Sequence, residues 1–153
     1  MTKVLLSLHV LAAIVAIGPV TVAASMFPPA VRRVGLPDEA GDVGTVRLLH
    51  RICRVYAGLG LAVPVLGFAT AAAMGVLQDA WLITSITLTA AAAGILVAFV
   101  LPRQEEILEQ LTGRQSVERA RTARLAMFTG LFNLLWATVT VLMIVRPGST
   151  TGA

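Results

Sequence analysis

Four long apolar runs divide the chain, at about 4–27, 52–77, 80–102 and 124–146, and each reaches the ~20 residues a helix needs to cross a bilayer. The polar stretches between them are unequal. Only Gln78 and Asp79 separate the second run from the third, which forces a tight antiparallel hairpin. The first connection, "PPAVRRVGLPDEAGDVGTVRLLHR", is expected to break the helix at Pro28, Pro29, Gly35 and Pro37 and to restart it near Val43. The second long connection, "RQEEILEQLTGRQSVERARTAR", reads as a helical extension of the third run, interrupted near Gly113, with Ser116 as N-cap of the last helix. The pattern predicts an all-α membrane protein. It is a single domain over 1–153, an antiparallel four-transmembrane-helix bundle with a cytoplasmic amphipathic helical extension.

Lipid tails are as apolar as Leu, so membrane helices associate through small residues and through polar side chains that bond across the interface. The first run carries Ala12, Ala13 and Ala16 on the face of His9, and the second carries Gly60, Pro64, Gly67, Ala71 and Gly75. The third offers Thr87, Ala91, Gly94 and Ala98, and the fourth Ala126, Gly130, Asn133, Ala137 and Thr140. These stripes are the expected contact faces, with kinks at Pro19 and Pro64. At 1.5 Å per residue, His9 falls about 8 Å below the outer end of its helix. Thr70, Ser85, Thr87, Thr138 and Thr140 fall at similar depth, which predicts a thin polar layer with His9. Asn133 sits deeper in the bundle interior, and Thr21 or the carbonyl freed by Pro19 is its expected partner.

Composition agrees: 57% of residues are hydrophobic and 13% charged, too few polar groups to cover a soluble domain. The net charge of +4 points to no nucleic acid partner, because the basic residues flank the apolar runs. Eleven of the twelve are Arg, a bias that together with the Ala-rich runs suggests a bacterial source. Arg32, Arg33, Arg47, Arg51, Arg54, Arg103, Arg114, Arg119, Arg121 and Arg124 border the two long connections, leaving Lys3 and Arg146 for the other side. The positive-inside rule then puts the long connections in the cytoplasm of a bacterial cell and both termini outside the inner (plasma) membrane. A signal peptide cleaved after "VAA" at 22–24 is disfavoured, since its apolar run exceeds a usual h-region and cleavage would strand Arg32 and Arg33 outside.

Several residues could carry chemistry. An intramembrane imidazole such as His9 suits an axial haem ligand, a metal ligand or a proton carrier. Its structural alternative is a neutral ring bonded to a hydroxyl or carbonyl. Met74 could add a thioether ligand. His50 reads as a polar residue of the cytoplasmic interface, and Cys53, the one cysteine, as a small apolar filler. Arg47, Arg51 and Arg54, spaced i, i+4 and i+7, form one helical face able to hold anionic lipid headgroups at about 1 kcal/mol per charge. In 103–119, Ile107, Leu108 and Leu111 oppose Glu105, Glu106 and Glu109. This amphipathic face would take a cytoplasmic partner or lie on its own bundle. No apolar run holds an Asp or Glu, and no zincin, nucleophile-elbow or phosphate-loop motif occurs.

The stretch "LHVLAAIVAIG" at 8–18, with Gly nine residues after His, resembles the first span of small bacterial "predicted integral membrane protein" families distantly similar to the CopD copper-resistance and HemJ haem-pathway types. The resemblance implies a four-span fold, with His9 as the haem- or metal-binding residue and Gly18 as its matching glycine. Where the group often has an aromatic, Ala16 stands here. Together these readings point to a non-enzymatic accessory or assembly subunit of a larger inner-membrane complex, touching membrane lipids and either other membrane subunits or further copies of itself. That reading requires no cofactor. The alternative is a small haem- or metal-handling redox membrane protein using His9. Small-solute transport is a third reading, disfavoured by the lack of an intramembrane acid.

Overall fold

The computed structural model describes residues 1–34, 36 and 41–149; Gly35 and Pro37 lie outside the described residues. The helices are α1 (Thr2–Arg33), α2 (Val43–Leu59), α3 (Ala62–Met74), α4 (Ala80–Ile95), α5 (Leu101–Thr112) and α6 (Arg119–Val145), with a π-helical turn, Leu96–Val100, between α4 and α5. They form four rods long and apolar enough to cross a membrane: α1, α2–α3, α4–α5 and α6. The chain is a multi-pass membrane protein folded as an all-α four-helix bundle.

Where each rod bends or stops has a local cause. α1 runs unbroken through Pro19, Pro28 and Pro29, although each proline removes a backbone donor and crowds the preceding turn. The break expected at Pro28 and Pro29 does not occur. Packing on both sides of the pair holds the helix: Phe27 is 0% exposed and Val31 is buried. In the second rod Pro64 cannot donate to the Gly60 carbonyl. One turn around Gly60 and Leu61 tightens to i→i+3 bonds, Leu61 N–H to Gly58 and Val63 N–H to Gly60. The hairpin closes through Gly75, whose φ of 70° allows Gly75 to bond Ala72 and Val76 to bond Ala71.

In the third rod the Leu101 N–H bonds the Leu96 carbonyl, five residues back, next to Pro102, which has no N–H to offer Ala98. The extension ends as expected, with Gly113 capping α5. Ser116 is not the N-cap of α6: Glu118 holds that position, its carbonyl accepting from Arg121 and Thr122. Val117, between the two, packs on the core.

α1 lies centrally, touching α2, α3 and α6, while α4 packs on α6 and α5 on α2. The main core occupies the half of the bundle next to the two long connections. There Val20, Ala23, Ala24, Phe27 and Val31 of α1 meet Val46, Leu49 and Cys53 of α2 and Leu125 and Phe132 of α6. Ala92, Leu96, Val100 and Ile107 of the third rod complete it. Toward the hairpin Ala71, Trp81 and Leu82 form a second, smaller buried cluster.

Two of the expected small-residue stripes face outward. Thr87, Ala91, Gly94 and Ala98, and likewise Ala126, Gly130, Ala137 and Thr140, are exposed. The inward faces carry Leu82, Ser85, Ala92 and Leu96 on the third rod and Leu125, Thr129, Phe132 and Val139 on α6. Interhelical volume in a membrane is filled by dispersion contacts, which favour the larger side chains wherever helices stand apart. Phe27→Ala is therefore expected to lower the thermal midpoint in detergent, at a cost of about 3–5 kcal/mol. Gly94→Ala and Gly130→Ala, where an added Cβ meets nothing within 4 Å, should leave the midpoint in place or raise it. A midpoint unmoved by Phe27→Ala would remove this residue from the centre of the core.

Candidate functional site

The two histidines sit toward opposite ends of the bundle, and each is tied to another helix. Nδ1 of His9 on α1 lies 3.0 Å from the Val63 carbonyl oxygen of α3. A carbonyl only accepts, so Nδ1–H donates, and in the neutral ring Nε2 keeps its lone pair. The ring approaches the α3 backbone at Gly67, where a Cβ would lie 2.8 Å from His9 Cε1 and 3.2 Å from Nδ1. Glycine there lets the ring lie directly on the α3 backbone; any Cβ would push it aside. Its neighbour in the same stripe, Ala71, is buried.

The expected polar layer does not assemble around His9. Thr70 donates to the Leu66 carbonyl at 2.7 Å and Ser85 to Trp81 at 2.8 Å. Thr87 donates to Ile83, Thr138 to Leu134 and Thr140 to Trp136, all three from exposed positions. Each hydroxyl is satisfied by the carbonyl four residues back on its own helix, the local bond Ser and Thr make most readily. Met74 lies seven residues, about 10 Å, past Gly67 along α3. It cannot complete a ligand pair with His9. Among the described residues no three His, Cys, Asp or Glu side chains gather to hold a metal ion.

Asn133 does reach across the bundle, to Ser25 Oγ at 3.0 Å, in place of Thr21 or the Pro19-freed carbonyl. One turn away on α6, the hydroxyl of buried Thr129 has no hydrogen-bond partner, and neither does Asn133 Oδ1.

At the other end His50 is 7% exposed: most of it packs on the buried face of α2, and the remainder borders a surface groove. Its Nδ1 lies 3.1 Å from Gln104 Oε1 of α5, so here too Nδ1–H donates. Gln104 is 0% exposed, and its Nε2 points at Cys53 Sγ, 3.6 Å away. The amide thereby bridges two α2 side chains one turn apart. Gln104 was legible as more than loop polarity: Val100, Gln104, Ile107 and Leu111 recur at i, i+4, i+7 and i+11, which puts the glutamine on the apolar stripe. Ile107 is buried, and Leu108 and Leu111 pack on the core, so the amphipathic extension lies on its own bundle.

Arg47, Arg51 and Arg54 are exposed on α2 and line, with His50 and Val55, a shallow open groove. Among the described residues no carboxylate pairs with them; the recorded ion pairs join Arg121 to Glu106 and Glu118. Between the third rod and α6 the Phe99 and Phe128 rings stack with centroids 4.8 Å apart. The Arg103 guanidinium covers Phe128 at 4.6 Å. This cap ties the third rod to α6.

Comparison with protein-family models, curated proteins and solved structures returns no match.

The His9–Gly67 contact makes a quantitative expectation. His9→Ala should cost about 1 kcal/mol, and Gly67→Ala should cost more, because its Cβ displaces the ring. In the double variant the clash is gone, so the loss should be smaller than the sum of the two. Additive losses in thermal unfolding would separate the two residues.

Proposed function

We propose that this chain is a non-enzymatic accessory or assembly subunit of a larger complex in a bacterial inner membrane, with both termini outside and the long connections cytoplasmic. The observation that carries this reading is the outward turn of the small-residue faces of α4 and α6. Thr87, Ala91, Gly94 and Ala98 on one rod and Ala126, Gly130 and Ala137 on the other leave backbone open to close approach by a further transmembrane helix. The ten arginines beside the long connections support the orientation.

The partner is another membrane subunit or a second copy of the chain. Carrying tags at both termini, the protein is expected to be cleaved by external protease in intact cells and to purify in mild detergent with a partner or as an oligomer. Gly94→Leu with Gly130→Leu should leave the monomer folded and release that partner. A lone monomer in mild detergent, or protected termini, would overturn the reading.

A second reading is favoured by one feature of His9. A ligating imidazole characteristically donates its other ring N–H to a carbonyl or carboxylate, fixing the tautomer and ring orientation, and His9 does so toward Val63. His9 Nε2 would then be the ligating atom for a haem or metal ion, and any further ligand would come from outside this chain. On this reading the protein resembles the small CopD- and HemJ-type membrane proteins. The purified protein should then show a Soret band, on isolation or after adding haem, that His9→Ala abolishes and His50→Ala leaves intact. No band in either condition ends the haem version.

A further inference from the structure

We infer that the groove formed by Arg47, His50, Arg51 and Arg54 binds the headgroup of an anionic, hydroxyl-bearing phospholipid such as phosphatidylglycerol, its phosphate on the guanidiniums and a headgroup hydroxyl on His50 Nε2. Basic residues beside a membrane span satisfy the positive-inside rule wherever they stand. This face does something that rule does not require. It sets an imidazole, 93% removed from solvent contact in an otherwise apolar packing face (7% exposed), beside three exposed guanidiniums on one shallow groove. The ring orientation is set from behind, by a fully buried amide.

The chemistry follows from the hydrogen-bond inventory. Gln104 Oε1 accepts from Nδ1–H, and Gln104 Nε2 is turned to Cys53 Sγ, so the amide has a defined orientation and holds the ring in one tautomer. No described residue bonds His50 Nε2. In the neutral ring this nitrogen is an acceptor, and the residue shares its groove with guanidiniums that only donate and that no described carboxylate neutralises. A site with cationic donors around one fixed acceptor is complementary to a ligand carrying both a phosphate and a hydroxyl donor. A phosphodiester without a hydroxyl satisfies only the donors. The position on α2, at the end of a membrane-spanning rod beside the long connections, makes a lipid the source of that headgroup. Arg side chains there reach the polar layer of the bilayer while their stems stay on apolar surface.

The experiment compares lipids of equal charge. Protein reconstituted in phosphatidylcholine nanodiscs is titrated with phosphatidylglycerol and with phosphatidylmethanol, which has the same phosphodiester but no hydroxyl, and bound lipid is read by native mass spectrometry. Wild type is expected to prefer phosphatidylglycerol by about three- to tenfold, the worth of one hydrogen bond. His50→Phe should erase that preference while keeping charge-driven binding. Gln104→Met, an apolar substitution that releases the ring, should reproduce the loss if His50→Phe does not fold. Arg47→Gln with Arg51→Gln and Arg54→Gln should weaken both lipids together by at least about tenfold. Equal binding of the two lipids by wild type, or a preference that survives both the His50 and the Gln104 change, would overturn the proposal. Tighter binding of water-soluble glycerol 3-phosphate than of either lipid would overturn the lipid as source.

Discussion

The bundle depends on one stripe of α1, from Val20 through Ala23, Ala24 and Phe27 to Val31. Every other rod meets this stripe or a side chain packed on it: Val46 and Cys53 from the second, Leu96 and Val100 from the third, Leu125 and Phe132 from the fourth. The same contact explains how a helix continues across Pro28 and Pro29. Each proline inside a helix costs about 3 kcal/mol, and the close packing of Phe27 and Val31 on either side of the pair works against that cost through dispersion contacts. Because this core fills only the half beside the long connections, the hairpin half is held by less. A small cluster around Ala71, Trp81 and Leu82 and the His9 contact to α3 are its main attachments.

The π-helical turn has a comparable reach. One residue more than an α-turn rotates all that follows by about 100°, and Leu96–Val100 lies just before α5. With that rotation Val100, Gln104 and Ile107 face the core and α2, all three buried. Without it Gln104 would leave the buried stripe, and His50 would lose its acceptor. Phe99, stacked on Phe128 beneath Arg103, anchors the same turn to α6. The backbone irregularity demanded by Pro102 thus determines which side chain stands behind the arginine face.

Polar groups in the spans divide into two kinds. Most serine and threonine hydroxyls bond a carbonyl one turn back on their own helix; Ser25 instead accepts from Asn133 across the bundle, and buried Thr129 has no partner. Side chains too long or wrongly placed for that bond, His9, Asn133, His50 and Gln104, cross to another rod. Each crossing has its own accommodation: a glycine beneath His9, a serine facing Asn133, a cysteine behind Gln104. Such contacts specify which faces meet, since a one-turn slip would leave each group unpaired in an apolar medium.

Sequence alone determined the number of spans, the hairpin at Gln78 and Asp79, the helical extension ending at Gly113 and the common face of Arg47, Arg51 and Arg54. These are consequences of apolar run length, backbone chemistry and helical periodicity, which are local. Tertiary structure alone decided which face of each Ala-rich rod turns inward. Small residues occur all round these helices, and lipid exerts no hydrophobic force to choose among the faces. For the same reason the polar layer predicted by depth was never formed: equal height in a membrane does not make two side chains neighbours. The partners of His9 and His50, residues 63 and 104, lie 54 positions away in each case. Only the packing of whole rods on α1 brings them within reach.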